Sequence, residues 1–113
     1  MNIENMRLWV ARLRDPEAKQ AFSTLRDDVG AMCCLGHAAD VSRLGVWKST
    51  CFYSIDGKTN GGFLPPPVME WLGISERNPV IQGKALSEWN DENIKTLAEI
   101  ADLLEEEDPE LKV

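Results

Sequence analysis

The stretch Ala31-Met32-Cys33-Cys34-Leu35-Gly36-His37-Ala38-Ala39-Asp40-Val41 decides the fold, because its small and apolar residues are typical of a closely packed helix. We predict that this helix runs from about Cys34 to Leu44 and packs tightly against a neighbouring element. Gly45 is well placed to end it, since glycine readily takes the left-handed conformation that follows a last helical turn. The other elements are predicted outward from this helix.

Upstream of this helix, the sequence predicts an amphipathic helix and a short strand. Asn2 can cap the amphipathic helix, in which Ile3, Met6, Val10 and Leu13 recur at steps of three and four residues. Asp15-Pro16 ends that helix, because the residue before a proline disfavours the helical region. Residues 22–25 are predicted to form the strand.

Downstream, residues 46–55 are rich in β-branched and aromatic side chains and are predicted to form a strand. Asp56-Gly57 follows as a hairpin turn signal. A short helix is predicted between Pro65-Pro66-Pro67 and Gly73, since proline suits a first helical turn and glycine follows a last one. Residues 83–89 are predicted to add one or two helical turns.

The last predicted helix begins after Asn90 or Asp91 as its cap and ends in an acidic tail, residues 105–113, that we expect to fray. One face of this helix carries Ile94, Leu97, Ala101 and Leu104. The whole chain, residues 1–113, is therefore predicted to be a single small α+β domain. It should contain about four helices and a short antiparallel hairpin.

Charge and hydropathy argue against several classes of function. Nineteen Asp and Glu residues against twelve Lys and Arg give a net charge of −7, which disfavours generic binding to nucleic acid or to anionic membranes. No apolar run approaches the roughly 20 residues of a spanning helix, and no signal peptide is visible. We therefore expect a cytoplasmic protein.

The charge is also unevenly distributed along the chain. Residues 1–26 hold five bases and three acids, a net of +2, whereas residues 91–113 hold nine acids and two bases, a net of −7. An acidic helix is usually a solvated exterior, but it can also meet a basic partner or mimic a phosphate backbone. Both interpretations stay open at this point.

The start of the central helix is the strongest candidate for a ligand site. Amide groups in a first helical turn lack intrahelical partners and can hold a phosphate or carboxylate, unless a side chain or water already caps them. Nearby bases would complete an anion pocket, and an exposed aromatic side chain would stack on a base. The predicted ligand-binding residues are Arg14, Lys19, Arg26, Cys34, Leu35, Gly36, His37, Trp47 and Tyr53.

Catalytic and metal sites are weaker candidates. Cys34, His37 and Asp40 share roughly one helix face, but a base on the nucleophile's own helix often points past it. Three cysteines without a C-x-x-C motif favour buried free thiols over a zinc site. We therefore predict no catalytic residues, no metal and no cofactor.

Several short motifs follow one another in a distinctive order. They are Leu13-Arg14, Lys19-Gln20, Leu25-Arg26, Cys33-Cys34-Leu35-Gly36 with Asp40-Val41, Leu64-Pro65-Pro66, Trp71-Leu72-Gly73, Asn90-Asp91, and Ile100-Ala101-Asp102 with Leu104-Glu105. This order, over residues 7–105, resembles a widespread group of small phage and prophage proteins that share a Cys-Cys-Leu-Gly helix start. The group tends to continue with aliphatic residues and a third cysteine, whereas this chain has His37-Ala38-Ala39.

The resemblance implies a phage accessory protein that acts in the cytoplasm of an infected bacterium, and it implies no particular enzymatic reaction. Two functions fit that setting. In the first, which the distinctive helix start favours, the protein sequesters a phosphate-containing nucleotide immune signal, with a pocket at the subunit boundary of a homo-oligomer. In the second, it inhibits a host defence protein through its acidic C-terminal helix and exposed aromatic residues.

Overall fold

The predicted central helix forms, and in the computed structural model, which describes residues 1–92 and 95–112, it spans Cys34–Ser42 (α2). Most of its residues are buried, because it packs against three other helices and a strand. It ends earlier than predicted, at Arg43, which takes the left-handed conformation with φ 59°. Gly45 is therefore not the cap. It lies in the first strand, where a Cβ atom would come 2.3 Å from the carbonyl oxygen of Tyr53.

The first helix, α1, spans Ile3–Arg14 as the apolar spacing predicts. Its cap is confirmed, since the side chain of Asn2 accepts a hydrogen bond from the amide of Asn5 at 3.1 Å. The backbone becomes extended at Asp15, before Pro16. Trp9 is fully buried on the inner face of α1, and its indole Nε1 donates to the carbonyl of Cys34 at 2.9 Å. This bond fixes α1 against the start of α2.

Residues 22–25 do not form the predicted strand. Ser23 has a positive φ of 63°, which breaks the extended backbone, and the neighbouring Gln20 and Arg26 each make only an isolated bridge to Met32. The segment instead winds around the start of α2. Leu25 is buried at 0% exposure, and its carbonyl accepts a hydrogen bond from the amide of Cys33 at 3.1 Å.

The predicted strand over residues 46–55 is divided into β1 (Gly45–Lys48) and β2 (Cys51–Ser54), because Ser49 has a φ of 57°. Strand β3 (Thr59–Asn60) completes an antiparallel sheet in the order β1-β2-β3. The Asp56-Gly57 turn between β2 and β3 is confirmed. The side chains alternate along β2, where Phe52 is 1% exposed and Tyr53 is 38% exposed.

The second half of the chain is helical apart from a small hairpin. Helix α3 spans Pro66–Leu72 and ends at Gly73 with φ +72°, as predicted. Strands β4 (Val80–Ile81) and β5 (Lys84–Ala85) pair antiparallel, and α4 (Leu86–Asp91) follows directly.

The last helix, α5, spans Leu97–Glu107 and is capped by Thr96 rather than by Asn90 or Asp91. Thr96 and Glu99 form a capping box, in which each side chain accepts a hydrogen bond from the other residue's amide. The predicted apolar residue Ile94 lies outside the described residues. The predicted fraying is wrong as far as Leu111, because a 3₁₀-helix over Pro109–Leu111 buries that leucine at 1% exposure.

Within residues 1–92 and 95–112 the chain thus forms five α-helices, four of them with seven or more residues, and short antiparallel strands. The predicted α+β class is confirmed. The core lies between α1, α2 and α5, and it is closed by Phe52 from the sheet and Leu86 from α4.

Gly36 allows the close contact between α2 and the residue 20–26 segment, so its replacement should destabilise the fold. A Cβ atom there would lie 2.1 Å from the carbonyl oxygen of Leu25, which is backbone and cannot turn aside. We expect Gly36→Ala to lower the free energy of unfolding by about 3 kcal/mol or more, measured by urea denaturation. Gly62→Ala is the control, because a Cβ atom there meets nothing within 4 Å. Equal effects of the two substitutions would show that the contact is not tight.

Candidate functional site

The start of α2 is closed to ligands, which corrects the prediction of an open anion pocket. The amide of Cys34 donates to Oδ1 of Asn90 at 3.2 Å, and the amide of Gly36 donates to Sγ of Cys33 at 3.4 Å. Cys34 and Leu35 are both 0% exposed. A hollow of about 310 Å³ lies beside Cys33, but these amides are already bonded inside the protein. The predicted phosphate contacts of Cys34, Leu35 and Gly36 are therefore unavailable to a bound anion.

The side chain of Asn90 caps the start of α2, where the sequence left capping by a side chain or water as the alternative to a bound anion. Its side chain is 0% exposed and lies between α4, α2 and the residue 20–26 segment. Besides the Cys34 amide, its Oδ1 accepts from the side-chain nitrogen of Gln20 at 2.9 Å. Its Nδ2 donates to the carbonyl of Ala21 at 2.9 Å and to Asp91 at 2.7 Å. All the hydrogen-bonding capacity of the amide is thus directed at the protein's own polar groups.

The other predicted site residues lie in four separate places. Arg14 forms ion pairs with Asp102 and Glu105 on α5. The guanidinium of Arg26 lies 5.6 Å from the ring centroid of Trp47 and donates to the carbonyl of Ser49.

Trp47 is itself engaged, since its Nε1 donates to Asp40 at 2.9 Å. Tyr53 faces outward from the sheet beneath the ammonium of Lys48, 4.8 Å from its ring centroid. The predicted residues therefore do not converge on one concave pocket.

Lys19 and His37 do share a cavity, of about 270 Å³, but its charge is mixed. Its lining includes the basic Arg12 and Lys19 together with the acidic Asp15 and Glu17. Arg12 is already paired with Asp40 at 2.6 Å. Burial opposes ionisation of Asp40, but hydrogen bonds from Arg12 and Trp47 outweigh it and hold its pKa below the usual value. This cavity has no excess of positive charge for a phosphate.

His37 is almost completely buried. It is 2% exposed, and its Nε2 lies 2.9 Å from the carbonyl of Lys19, so the neutral ring carries its proton on Nε2. Nδ1 is buried without a hydrogen-bond partner among the described residues. Burial lowers the pKa of His37 and outweighs the favourable Lys19 carbonyl, and the charge of Arg12 lowers the pKa further.

Cys33 and Cys34 are poorly suited to nucleophilic chemistry. Burial raises the pKa of Cys33 to about 11, and it raises the pKa of Cys34 well above the ordinary value. The thiol of Cys34 donates to the carbonyl of Leu86, whereas His37 bonds to Lys19, so the two side chains have different partners. No three His, Cys, Asp or Glu side chains within the described part of the chain are grouped so as to hold a metal ion.

A second surface, at the C-terminal end of α5, has features that the helix start lacks. Seven carboxylates lie between Glu99 and Glu110, with no base in that segment. Several serve the fold: Glu99 closes the capping box, while Asp102 and Glu105 pair with Arg14.

The remaining side chains of that segment are more exposed. Glu106 is exposed and accepts from Gln82 at 2.9 Å. Glu107 and Glu110 are exposed, and neither carboxylate makes a hydrogen bond or ion pair with any described residue. We name the carboxylates of Glu106, Glu107 and Glu110 the acidic surface.

An apolar crevice of about 170 Å³ lies directly beside the acidic surface. Its floor is formed by residues that are at most 5% exposed: Met6, Trp9, Ile81, Leu104 and Leu111. Val80 and Met1 lie at its mouth, at 55% and 56% exposure, and Glu107 and Asp108 complete its rim. Sequence reasoning missed this crevice, because α1, β4, α5 and the 3₁₀-helix that form it are distant along the chain.

The chain matches a family described as a domain of unknown function, DUF8296, over residues 1–108, and it belongs to that family. Searches of curated proteins and of solved structures found no match. None of the helices in residues 1–92 and 95–112 has the length and apolar character needed to cross a bilayer.

Because Asn90 satisfies several buried groups at once, its loss should destabilise the fold strongly. Asn90→Leu keeps the side-chain volume but leaves the Cys34 amide and the Ala21 carbonyl without partners. We expect a loss of about 3 kcal/mol or more in the free energy of unfolding. Asn78→Leu is the matched control: Asn78 is half-buried and bonds only to Ser87, so its loss should cost about 1 kcal/mol. Similar losses in the two variants would contradict the role given to Asn90.

His37 should make the protein less stable in mild acid. Its pKa is lowered in the folded state, so the unfolded chain binds the proton more readily, and stability falls as the pH drops below about 6.5. Arg12 opposes that proton, and Asp40 and Asp15 favour it only weakly. We expect the free energy of unfolding of the wild type, measured by urea between pH 8 and 5, to decline more steeply than that of His37→Gln. Parallel curves would contradict this, since His37 is the chain's one histidine.

Proposed function

We propose that this protein is a non-enzymatic binding protein that recognises a basic protein partner through the acidic surface. The main support is that Glu107 and Glu110 are exposed carboxylates without a partner among the described residues. They lie in a segment, residues 99–110, that holds no base. On α5, Asp102 and Glu105 are paired with Arg14, Glu99 is used in the capping box, and Glu106 accepts a hydrogen bond from Gln82. The unpaired carboxylates are therefore available to an external cation.

Helix electrostatics support this proposal. A helix carries a partial negative charge at its C-terminus, so carboxylates in the last turn are unfavourable by about 0.3–1 kcal/mol each. Helix α5 places Glu105, Glu106 and Glu107 in that turn and has no base there. Of these three carboxylates, Glu105 alone forms an ion pair with a described residue, Arg14. A basic partner would neutralise both the remaining carboxylates and the end of the helix.

The biological setting of the proposal comes from the resemblance to small phage proteins. In that setting the partner is a protein of the bacterial host, and a defence protein is the target that such accessory proteins inhibit. Binding would inhibit by covering a basic surface, such as one that holds nucleic acid, since this chain carries a net charge of −7. No chemical step is needed for that effect.

Sequestration of a nucleotide signal, the other predicted function, receives less support from the structure. The helix-start amides are occupied, and the bases Arg14 and Arg26 are bonded elsewhere. Isothermal titration with cyclic dinucleotides and cyclic ADP-ribose isomers separates the two functions. We expect no heat of binding, and saturable heat would favour sequestration.

The proposed function is tested by capture of bacterial proteins on the immobilised chain. The double variant Glu107→Lys/Glu110→Lys removes the unpaired carboxylates and changes the net charge by four. Asp28→Lys/Glu70→Lys is the matched control, because these acids are also exposed, change the net charge equally and lie outside α5. We expect the first variant to lose a basic protein at least tenfold and the control to retain it.

The captured partner is then purified and titrated at two salt concentrations. Because exposed charges are screened at a Debye length of about 4–5 Å in roughly 0.5 M salt, we expect the Kd to rise with salt. Equal capture by both double variants, a Kd that salt does not change, or capture of no protein would contradict the proposal.

A further inference from the structure

We infer that the apolar crevice beside the acidic surface is an anchor pocket for one large apolar side chain that is flanked by lysine or arginine in the partner. This inference rests on the proposed function and specifies the chemistry of the segment that is bound. It joins two adjacent features, an apolar hollow and a rim of carboxylates, that the fold brings together from distant parts of the chain.

The size of the crevice fits a single side chain. Its volume is about 170 Å³, and a protein cavity of about 150 Å³ is large enough to bind benzene. The floor residues Trp9 and Leu111 are 0% and 1% exposed, so the hollow ends on the closed core. The volume therefore suits a single leucine, methionine or phenylalanine side chain.

One side of the mouth of the crevice is apolar and open to solvent. Val80 and Met1 are 55% and 56% exposed, although both are large apolar residues beside a hydrophobic hollow. Burying such a side chain stabilises a complex by about 1.5–3 kcal/mol. An incoming apolar group would cover Val80 and Met1 as well as fill the crevice.

The charge of the rim indicates which residues flank the apolar side chain in the partner. Glu107 and Asp108 line the crevice, and Glu110 lies in the 3₁₀-helix that follows them. Asp108 uses one oxygen to accept from the amide of Glu110, whereas the carboxylate of Glu107 has no partner among the described residues. An acidic or neutral segment would bring no cation to this rim. A segment with bases on both sides of the apolar residue fits both features.

The experiment uses two synthetic peptides, acetyl-Lys-Lys-Leu-Lys-Lys-amide and its alanine counterpart with Leu replaced by Ala. Binding is followed by NMR of the methionine methyl groups. Met1 and Met6 line the crevice, whereas Met32 lines the His37 cavity and Met69 lies on α3, so the four methyl groups report the site of binding. We expect saturable shifts of the Met1 and Met6 methyls with the leucine peptide. We also expect at least about tenfold weaker binding of the alanine peptide.

A protein variant separates apolar anchoring from attraction of charge. Val80→Asp adds a carboxylate at the mouth, so it should strengthen attraction of cations while it weakens entry of an apolar side chain. We expect weaker binding of the leucine peptide and unchanged or tighter binding of the alanine peptide. Val46→Asp is the matched control, because Val46 is also an exposed strand valine, at 60% exposure, on a different sheet. This control should change the affinity for each peptide by no more than about twofold relative to the wild type.

The outcomes distinguish this inference from the proposed function. If both peptides bind equally, and both lose binding in Glu107→Lys/Glu110→Lys, the anchor pocket is overturned. Recognition by the acidic surface then remains in place. Absence of binding by both peptides overturns both. Shifts of Met6 that appear with protein concentration alone, together with a doubled mass in light scattering, overturn the inference in favour of a second copy as the occupant. The peptide comparison needs no protein variant, so it decides the question even where Val80→Asp fails to fold.

Discussion

The buried amide of Asn90 is the interaction on which the rest of the structure depends. One side chain on α4 caps the start of α2 through the amide of Cys34, and it holds the loop before that helix through Gln20 and Ala21. These groups are remote from Asn90 in sequence, and Ala21 and Cys34 are buried. A buried polar group is tolerated only when it is hydrogen-bonded, so every one of these partners must be in place together. The helix start, the irregular segment and α4 consequently form one cooperative unit.

This unit explains why a ligand site was predicted where the structure has a packing site. Unpaired helix-start amides and a glycine are features of anion sites, and they are equally features of a tight internal junction. The distinction depends on what faces them. Here a polar side chain from 56 residues further along the chain occupies the position that a phosphate would take.

Capping residues, prolines and glycines predicted where several helices begin and end. Contacts between residues far apart in the chain could not be predicted from the sequence. The cap at Asn2, the end of α1 before Pro16, and the end of α3 at Gly73 follow from backbone chemistry within a few residues. Ser23, Arg43 and Ser49 take positive φ values without being glycine, so nothing local marked the break of the predicted strands or the end of α2. The acidic charge of the last helix was visible in the sequence. The crevice beside it was not, since its walls come from both ends of the chain.

The adjacent thiols at the start of α2 have a consequence for the chemistry of the intact molecule. Cys33 and Cys34 are 7% and 0% exposed, and each sulfur is engaged in its own hydrogen bond, whereas Cys51 on the sheet is only half-buried. Alkylating reagents and oxidants attack the thiolate, which burial suppresses at both positions. Cys34, which is fully buried, is therefore protected in the folded domain, and the rate of its modification would report transient opening of the Asn90 junction.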